Sequence, residues 1–355
     1  ENQPELLAQH FFEADMPSKA VDWWLRAGHH AIQQSANTEA IGHLEMALRL
    51  LANLQDSPEN RHRELVAQMS LGPALCATRG YAAAEVEHAF GRANALCQGM
   101  SDVPQLFPIQ WGLWAFYVVR AEFNRAWETA QTLMRAAEAK GDPNLLLEAH
   151  FSVGLTHYFL GQPVPALLHL REVIALDVPG RDRSFTFQSG QDAGVCGLTY
   201  AGLTLWQLGH LDEALEMSRK AIDLARRIQH PFSLAYALNF AGWLCQMCRN
   251  VEEAKAYSEE EIDLSKKQGF FWVSLGSVIY GWAVAQQGQV DAGLTSIDKG
   301  LGAYRGAGAR LSQTYQLAIQ AETLLRANRA EEGLRRVNEA LASMEETGER
   351  FWEGE

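Results

Sequence analysis

The chain has 355 residues, 47% of them hydrophobic, with 30 Lys and Arg against 43 Asp and Glu and a formal charge of -13. This composition excludes a disordered chain. The acidic balance argues against broad binding to nucleic acid or to an anionic membrane.

The length exceeds that of most single compact domains, so several domains or a repeat array is expected. No apolar run is long enough to span a bilayer and there is no secretory signal. Five cysteines, an odd number, lie in apolar helical segments. They read as buried free thiols in a reducing, cytoplasmic compartment. The chain opens at Glu1 inside a helical pattern and stops after FWEGE, where a further helix could begin. A piece of a longer protein is the expectation.

In chain order, Glu5 to Glu13 reads as a short helix, and Pro17 opens a second, SKAVDWWLRAGHHAIQQ. Residues 1–34 are expected to join a preceding module, and 35–355 to form the repeat array. The unit is clearest in Gln191 to Gln229, where two apolar-periodic segments flank Gly209-His210. A small residue recurs in the first segment of each unit at Gly28, Gly72, Trp114 (or Gly112 in another register), Gly154, Gly202, Gly242, Gly281 and Ala321. Twelve residues later stand Ala40, Ala84, Ala126, Ala166, Ala214, Ala254, Gly293 and Gly333. Small residues at that spacing let two helices cross closely. The last four units repeat at a period near forty.

These spacings resemble those of the tetratricopeptide repeat, whose usual period is shorter, about 34. The resemblance implies an all-α, right-handed superhelical solenoid of antiparallel helix pairs, with longer helices. Asp142-Pro143 and His230-Pro231 read as a cap followed by proline at the first helical position. Gly or Asn marks the turns at Gly161, Gly209, Asn250, Gly288 and Asn328. No strand pattern is present. Asp177 to Gln191 breaks the rhythm and reads as a loop insertion. Pro73 should kink its helix or begin it.

The first helices of such an array line its inner surface. Carried over residue by residue, the family's groove-facing positions fall on one helical stripe. The third repeat supplies Trp111, and the fourth Glu148, Phe151, Leu155 and Tyr158. The fifth supplies Cys196, Thr199, Leu203 and Trp206; the sixth Tyr236, Asn239, Trp243 and Gln246. The seventh adds Leu275, Val278, Trp282 and Ala285, and the eighth begins with Tyr315. Aromatic rings with a few polar groups suit a peptide segment, a flat small effector or a sugar. The same rings suit simple packing between long helices. In the insertion, Arg183, Phe187, Gln191 and Asp192 are candidates: Asp192 caps the next helix, or it and Arg183 orient a ligand at the groove mouth.

Catalytic chemistry is not expected, and no cofactor or metal is implied. Cys245-x-x-Cys248 lacks a second ligand pair and reads as structural. His29-His30 and the pair His150 and His157 lack metal-ligand spacing. Gly300 to Gly308 carries no nucleotide-binding pattern.

Several segments, LGPALCATRGYAAAEVEHAF, PQLFPIQWGLWAFYVVRAEF, RSFTFQSGQDAGV, HPFSLAYALNFAGWL and ETGERFWEGE, resemble the repeat-rich C-terminal region of bacterial STAND-type signalling ATPases, particularly those with a class III adenylate/guanylate cyclase domain. The resemblance implies a non-catalytic sensor or scaffold arm. It would bind a protein segment or small effector and regulate an adjoining ATPase module. A purely structural, self-associating module is the alternative.

Overall fold

A computed structural model describes residues 3–98 and 104–352, apart from the side chains of 187–189. Among the described residues there are eighteen helices and no strand. A short α1 (Pro4–Glu13) precedes eight antiparallel hairpins. They are α2 (Pro17–Gln33) with α3 (Asn37–Leu51), α4 (Pro58–Arg79) with α5 (Ala84–Cys97), α6 (Leu106–Val119) with α7 (Phe123–Lys140), and α8 (Pro143–Phe159) with α9 (Pro163–Leu176). After α10 (Ser184–Ser189) come α11 (Ala193–Gln207) with α12 (Leu211–Ile228), α13 (Pro231–Met247) with α14 (Val251–Gln268), α15 (Val273–Gln286) with α16 (Val290–Gly306), and α17 (Gln313–Arg326) with α18 (Ala330–Thr347).

Small residues set the crossing inside several of the hairpins. A Cβ built on Gly202 would lie 2.9 Å from the Ala214 carbonyl oxygen, and one on Gly281 2.6 Å from that of Gly293. Gly154 faces the Ala166 carbonyl and Gly333 that of Ala321. These are the twelve-residue pairs of the sequence. In the third hairpin the nearest neighbour of Gly112 is instead the Phe90 ring of the preceding one. Trp114 there is buried and donates its indole N–H to Thr156 Oγ1 at 3.1 Å.

Helix starts follow the local chemistry. Asp142 accepts from the backbone N–H groups of Asn144 and Leu145, and His230 from that of Ser233. Each satisfies a donor that has no partner within the helix. The hairpin turns place one residue in the left-handed region, Gly209 at φ 83° and Asn328 at φ 58°. At Arg249-Asn250 the roles divide: Arg249 is left-handed at φ 59°, and Asn250 caps α14 through Glu253 N–H. Pro73 lies inside α4, which runs on to Arg79. The insertion contains the short helix α10.

The first helices α6, α8, α11, α13 and α15 are buried on nearly every face, whereas α12 buries one stripe and α18 only Gly333 and Ser343. The core therefore runs along the inside of the superhelix. Three segments close that inside. Phe271 N–H donates to the Ala77 carbonyl at 2.8 Å. The N–H groups of Arg310 and Leu311 both donate to Val119, and Arg350 N–H donates to Phe159 at 2.8 Å. Each bond links the end of one first helix, α4, α6 or α8, to a segment five hairpins further on. No helix among the described residues is long and apolar enough to cross a membrane.

Candidate functional site

Burial, hydrogen bonding and ring geometry place the stripe residues. Trp111, Phe151, Tyr158, Tyr236, Trp243, Trp282 and Tyr315 are all buried on the inside of the superhelix. Phe151 meets Trp114 and Tyr200 with ring centroids 5.7 and 6.4 Å away. Tyr158 packs on Tyr200 and Phe351, and Trp243 lies 4.5 Å from Tyr315. Such offset and edge contacts add about 0.5–1.5 kcal/mol per pair beyond area burial.

Most of their polar neighbours are buried as well, with Glu322 half-buried. Gln246 Oε1 accepts from Tyr315 O–H at 2.8 Å, and Trp282 donates its indole N–H to Glu322 at 3.2 Å. Thr199 returns its hydroxyl to the Val195 carbonyl of its own helix. Asn239 has neither amide atom paired, and Glu148 Oε2, Tyr158 O–H and Trp111 Nε1 also lack partners. Each such group costs about 1–3 kcal/mol. Burial pushes the Glu148 carboxyl well above its usual range, and the Asp192 charge pushes the same way. The Trp111 indole lies beside that carboxyl without completing a hydrogen bond.

The insertion is held by charge. Asp192 caps α11 through Val195 N–H at 3.0 Å. Its carboxylate also pairs with Arg183 and with Arg181, the latter at 2.9 Å. Asp177 accepts from both arginines. Burial opposes the Asp192 charge, but the two guanidiniums outweigh it and hold the carboxyl below its usual range. Gln191 accepts from Tyr81 O–H at 2.9 Å. Phe187 lies outside the described side chains. Asp192 is thus a cap, and Arg183 its ion partner rather than a free arm.

The histidines and cysteines take packing roles. His150 Nδ1 lies 2.9 Å from His169 Nδ1, and His157 bonds Gln162. Burial lowers His169 to about 4. Burial pushes Cys245 up to about 12, so its thiol stays protonated. Among the described residues, no group of three or more His, Cys, Asp or Glu is placed to hold a metal ion.

Inside the superhelix a cavity of about 70 Å³ is walled by Tyr81, Trp114, Tyr200, Tyr236, Trp243 and Trp272. That is the scale of a few water molecules. Tyr236 and Trp243 belong to the family's stripe, as do Leu155 and Leu275, which also line the cavity. Tyr200 stands one residue past Thr199, on a helix apolar all round, where periodicity cannot choose a face. Trp272 belongs to a closing segment.

The surface opens elsewhere. Half-buried Trp206 borders a groove of about 510 Å³ that runs along Gln246, Arg249, Glu322, Leu325 and Val337. A second groove, of about 230 Å³, lies between Pro163, Gln207 and Trp206. Trp352 sits at the border of both, its ring stacked on Trp206 with centroids 6.0 Å apart. The aromatic pairs Phe270-Phe271 and Phe351-Trp352 are sequence features that mark two of the three closing segments.

No family model matches the chain. It is 28% identical over 351 residues to an uncharacterized protein of Rhizobium meliloti (strain 1021), covering 98% of this chain and 34% of that protein. The chain thus spans about a third of the length of that relative. Among solved structures it is similar to a Rap protein complexed with competence and sporulation factor (TM-score 0.59, 13% identity, 92% of this chain and 99% of that one). It is also similar to the quorum sensor NprR of B. thuringiensis in its apo form (TM-score 0.57, 12% identity, 92% and 88%). NprR in complex with its cognate peptide NprX gives a TM-score of 0.57 at 15% identity over 82% and 76%. At these identities the likeness is one of fold, and the chain has the all-α, tetratricopeptide-like superhelical repeat fold.

Proposed function

We propose that the chain is a non-catalytic sensor and scaffold arm that takes a peptide segment along its inner aromatic surface. In this reading it regulates an ATPase or cyclase module of a longer cytoplasmic protein, to which residues 1–34 join it. The carrying observation is the open groove at Trp206, which is bordered by a second aromatic ring, Trp352, and by the polar side chains of Gln246, Arg249 and Glu322. Two of the structural neighbours are complexes, one with competence and sporulation factor and one with the peptide NprX, which supports the same reading. Trp111, Glu148, Phe151, Tyr158, Asn239 and Tyr315 would form the deeper part of the site.

The mechanism is differential affinity. A peptide that binds one conformation of the arm more tightly shifts the equilibrium of whatever the arm contacts. The test is a thermal-shift screen of the chain against a peptide library, since a ligand of the folded state raises the melting temperature. A hit abolished by Trp206→Ala, with the helical spectrum intact, is the expected result. A library that leaves the melting temperature unmoved, or hits indifferent to Trp206→Ala, would sink the reading.

A second reading, self-association, is favoured by one observation. Leu334, Val337 and Leu341 on α18 are 63%, 40% and 51% exposed, while their equivalents forty residues earlier, Leu294, Ile297 and Leu301, are buried. The next hairpin covers the earlier set. A concentration-dependent dimer dissolved by Leu334→Glu would support this reading, and a monomer at all concentrations would exclude it.

A further inference from the structure

Residues 349–352, Glu-Arg-Phe-Trp, occupy a built site on the inner surface. Glu349 is 1% exposed and its carboxylate accepts from Ser312 N–H at 2.5 Å and from Thr314 O–H at 3.3 Å. Arg350 N–H donates to the Phe159 carbonyl, and the Phe351 carbonyl accepts from Gln207 Nε2 at 2.9 Å. The Phe351 ring sits 5.4 Å from Tyr158 and 5.2 Å from Phe159. Trp352 lies between Trp206 and Tyr315, edge-on to the latter at 4.8 Å. The walls thus come from α8 and α11, which open consecutive hairpins, and from the distant α17.

Two features separate this segment from the other closing segments. Phe271, Trp272, Leu311 and Ser312 line the inner cavity, whereas Arg350, Phe351 and Trp352 border the groove at Trp206. Its anchors are also generic. They are two backbone groups, a carboxylate and two aromatic rings, all of which an unrelated chain can present. Extended peptides are commonly held in this way, with the main chain giving affinity and pockets giving specificity.

We propose that this site is the receptor for a separate peptide of the same chemistry, a carboxyl side chain followed after one residue by two adjacent aromatics, with residues 349–352 as its resident competitor. This rests on the peptide-groove reading and names its partner class. The segment is tethered, so it competes at an effective concentration in the millimolar range. An incoming peptide must overcome that occupancy, and the site stays covered until such a peptide accumulates. Displacement releases α18 from the ends of α8 and α11, which is the movement the arm would transmit.

The experiment uses the full chain and a dye-labelled peptide Thr-Gly-Glu-Arg-Phe-Trp, the sequence of residues 347–352. Fluorescence anisotropy compares the wild type with the Phe351→Ala, Trp352→Ala double variant. The variant should bind the peptide at least tenfold more tightly than the wild type does. A peptide with Ala for Glu, or Ala-Ala for Phe-Trp, should lose most of that binding. Equal affinity for the wild type and a folded variant, or equal binding of a scrambled peptide, overturns the proposal. The peptide-groove reading survives that outcome if other peptides from the thermal-shift screen bind.

Hydrogen exchange of the wild type gives a second readout that needs no variant. Saturating peptide should speed exchange at the Arg350 amide and leave those of Arg310 and Leu311 protected. Unchanged exchange at Arg350 under saturation overturns the proposal. A wild-type dimer, broken by the double substitution, would assign the site to a second copy and also overturn it.

Discussion

Replacing Gly293 with alanine sets helix propensity against helix crossing. In an exposed helix the change should stabilise by about 0.8–1 kcal/mol. Gly302, on the same helix α16, provides that case, because nothing lies within 4 Å of a Cβ built there. At Gly293 the added carbon would stand 2.4 Å from the Gly281 carbonyl oxygen and 2.7 Å from Ala285 Cβ. Both are fixed by α15, so relief requires the two helices to part by roughly 1 Å along a close-packed contact. Overpacking of that kind costs about 1–3 kcal/mol. Separation also removes contacts of buried Ile297 and Val278, so the upper half of the range applies. The expected net result is a loss of about 1–2 kcal/mol for Gly293→Ala and a gain of about 1 kcal/mol for Gly302→Ala. Urea midpoints by far-ultraviolet circular dichroism measure both. Amide exchange across α15 and α16 localises the loss, because neighbouring hairpins of an array need not unfold together. A Gly293→Ala protein as stable as the Gly302→Ala one would refute the crossing argument.

Three further outcomes are expected. Burial pushes Glu261 and Glu349 up to about 8, with Ser265 donating to Glu261, Lys266 facing it and Tyr158 and Tyr304 facing Glu349. Both folded values lie above the unfolded one, so their stabilisation is complete below about pH 4.5 and is lost as pH rises to about 8. The slope is at most about 1.4 kcal/mol per pH unit for each group. Melting temperatures across that range should fall less steeply in Glu261→Gln, and an unchanged profile would contradict the assignment. Asp192→Ala removes one of the two carboxylates that pair the buried Arg181, leaving Asp177, and removes a cap, so a loss of about 2–4 kcal/mol is expected from urea titration, with early exchange in residues 181–195. Ala121 holds φ at 57°, a region costly to a side chain. Ala121→Gly should gain about 0.5–1 kcal/mol by thermal melting, and a loss would count against the backbone there.

Much of the fold was legible because hairpin geometry is local. The twelve-residue spacing of small residues and the left-handed turn at Gly209 each depend on neighbours within one hairpin. The caps Asp142, His230 and Asp192 needed nothing beyond the following turn of helix. The third hairpin was ambiguous since α6 is apolar on every side, and only packing shows that Gly112 faces Phe90. The tetratricopeptide resemblance supplied the stripe, from Trp111 to Tyr315. It gave no sign that the stripe is covered, because the cover arrives from five hairpins away. Tyr200, Trp272 and Phe351 join that wall only through the pitch of the superhelix, a sum of small rotations that no single repeat encodes. Arg183 reads as a loop arm in sequence. In space it meets Asp177 and Asp192 together, and the charge is spent within the insertion.

The bonds from Ala77 to Phe271, Val119 to Arg310 and Phe159 to Arg350 also set a schedule for synthesis. Each partner leaves the ribosome roughly 190 residues after the helix end it covers. At about 5–20 residues per second that is a delay of about 10–40 s. The hairpins themselves close far sooner, since helix and loop formation take microseconds. During the delay the rings of Trp114, Phe151, Tyr158 and Phe159 face water from a half-coiled chain. Nascent chains stalled between α12 and α14 should therefore bind hydrophobic-surface chaperones, and release them once Phe351 and Trp352 have emerged.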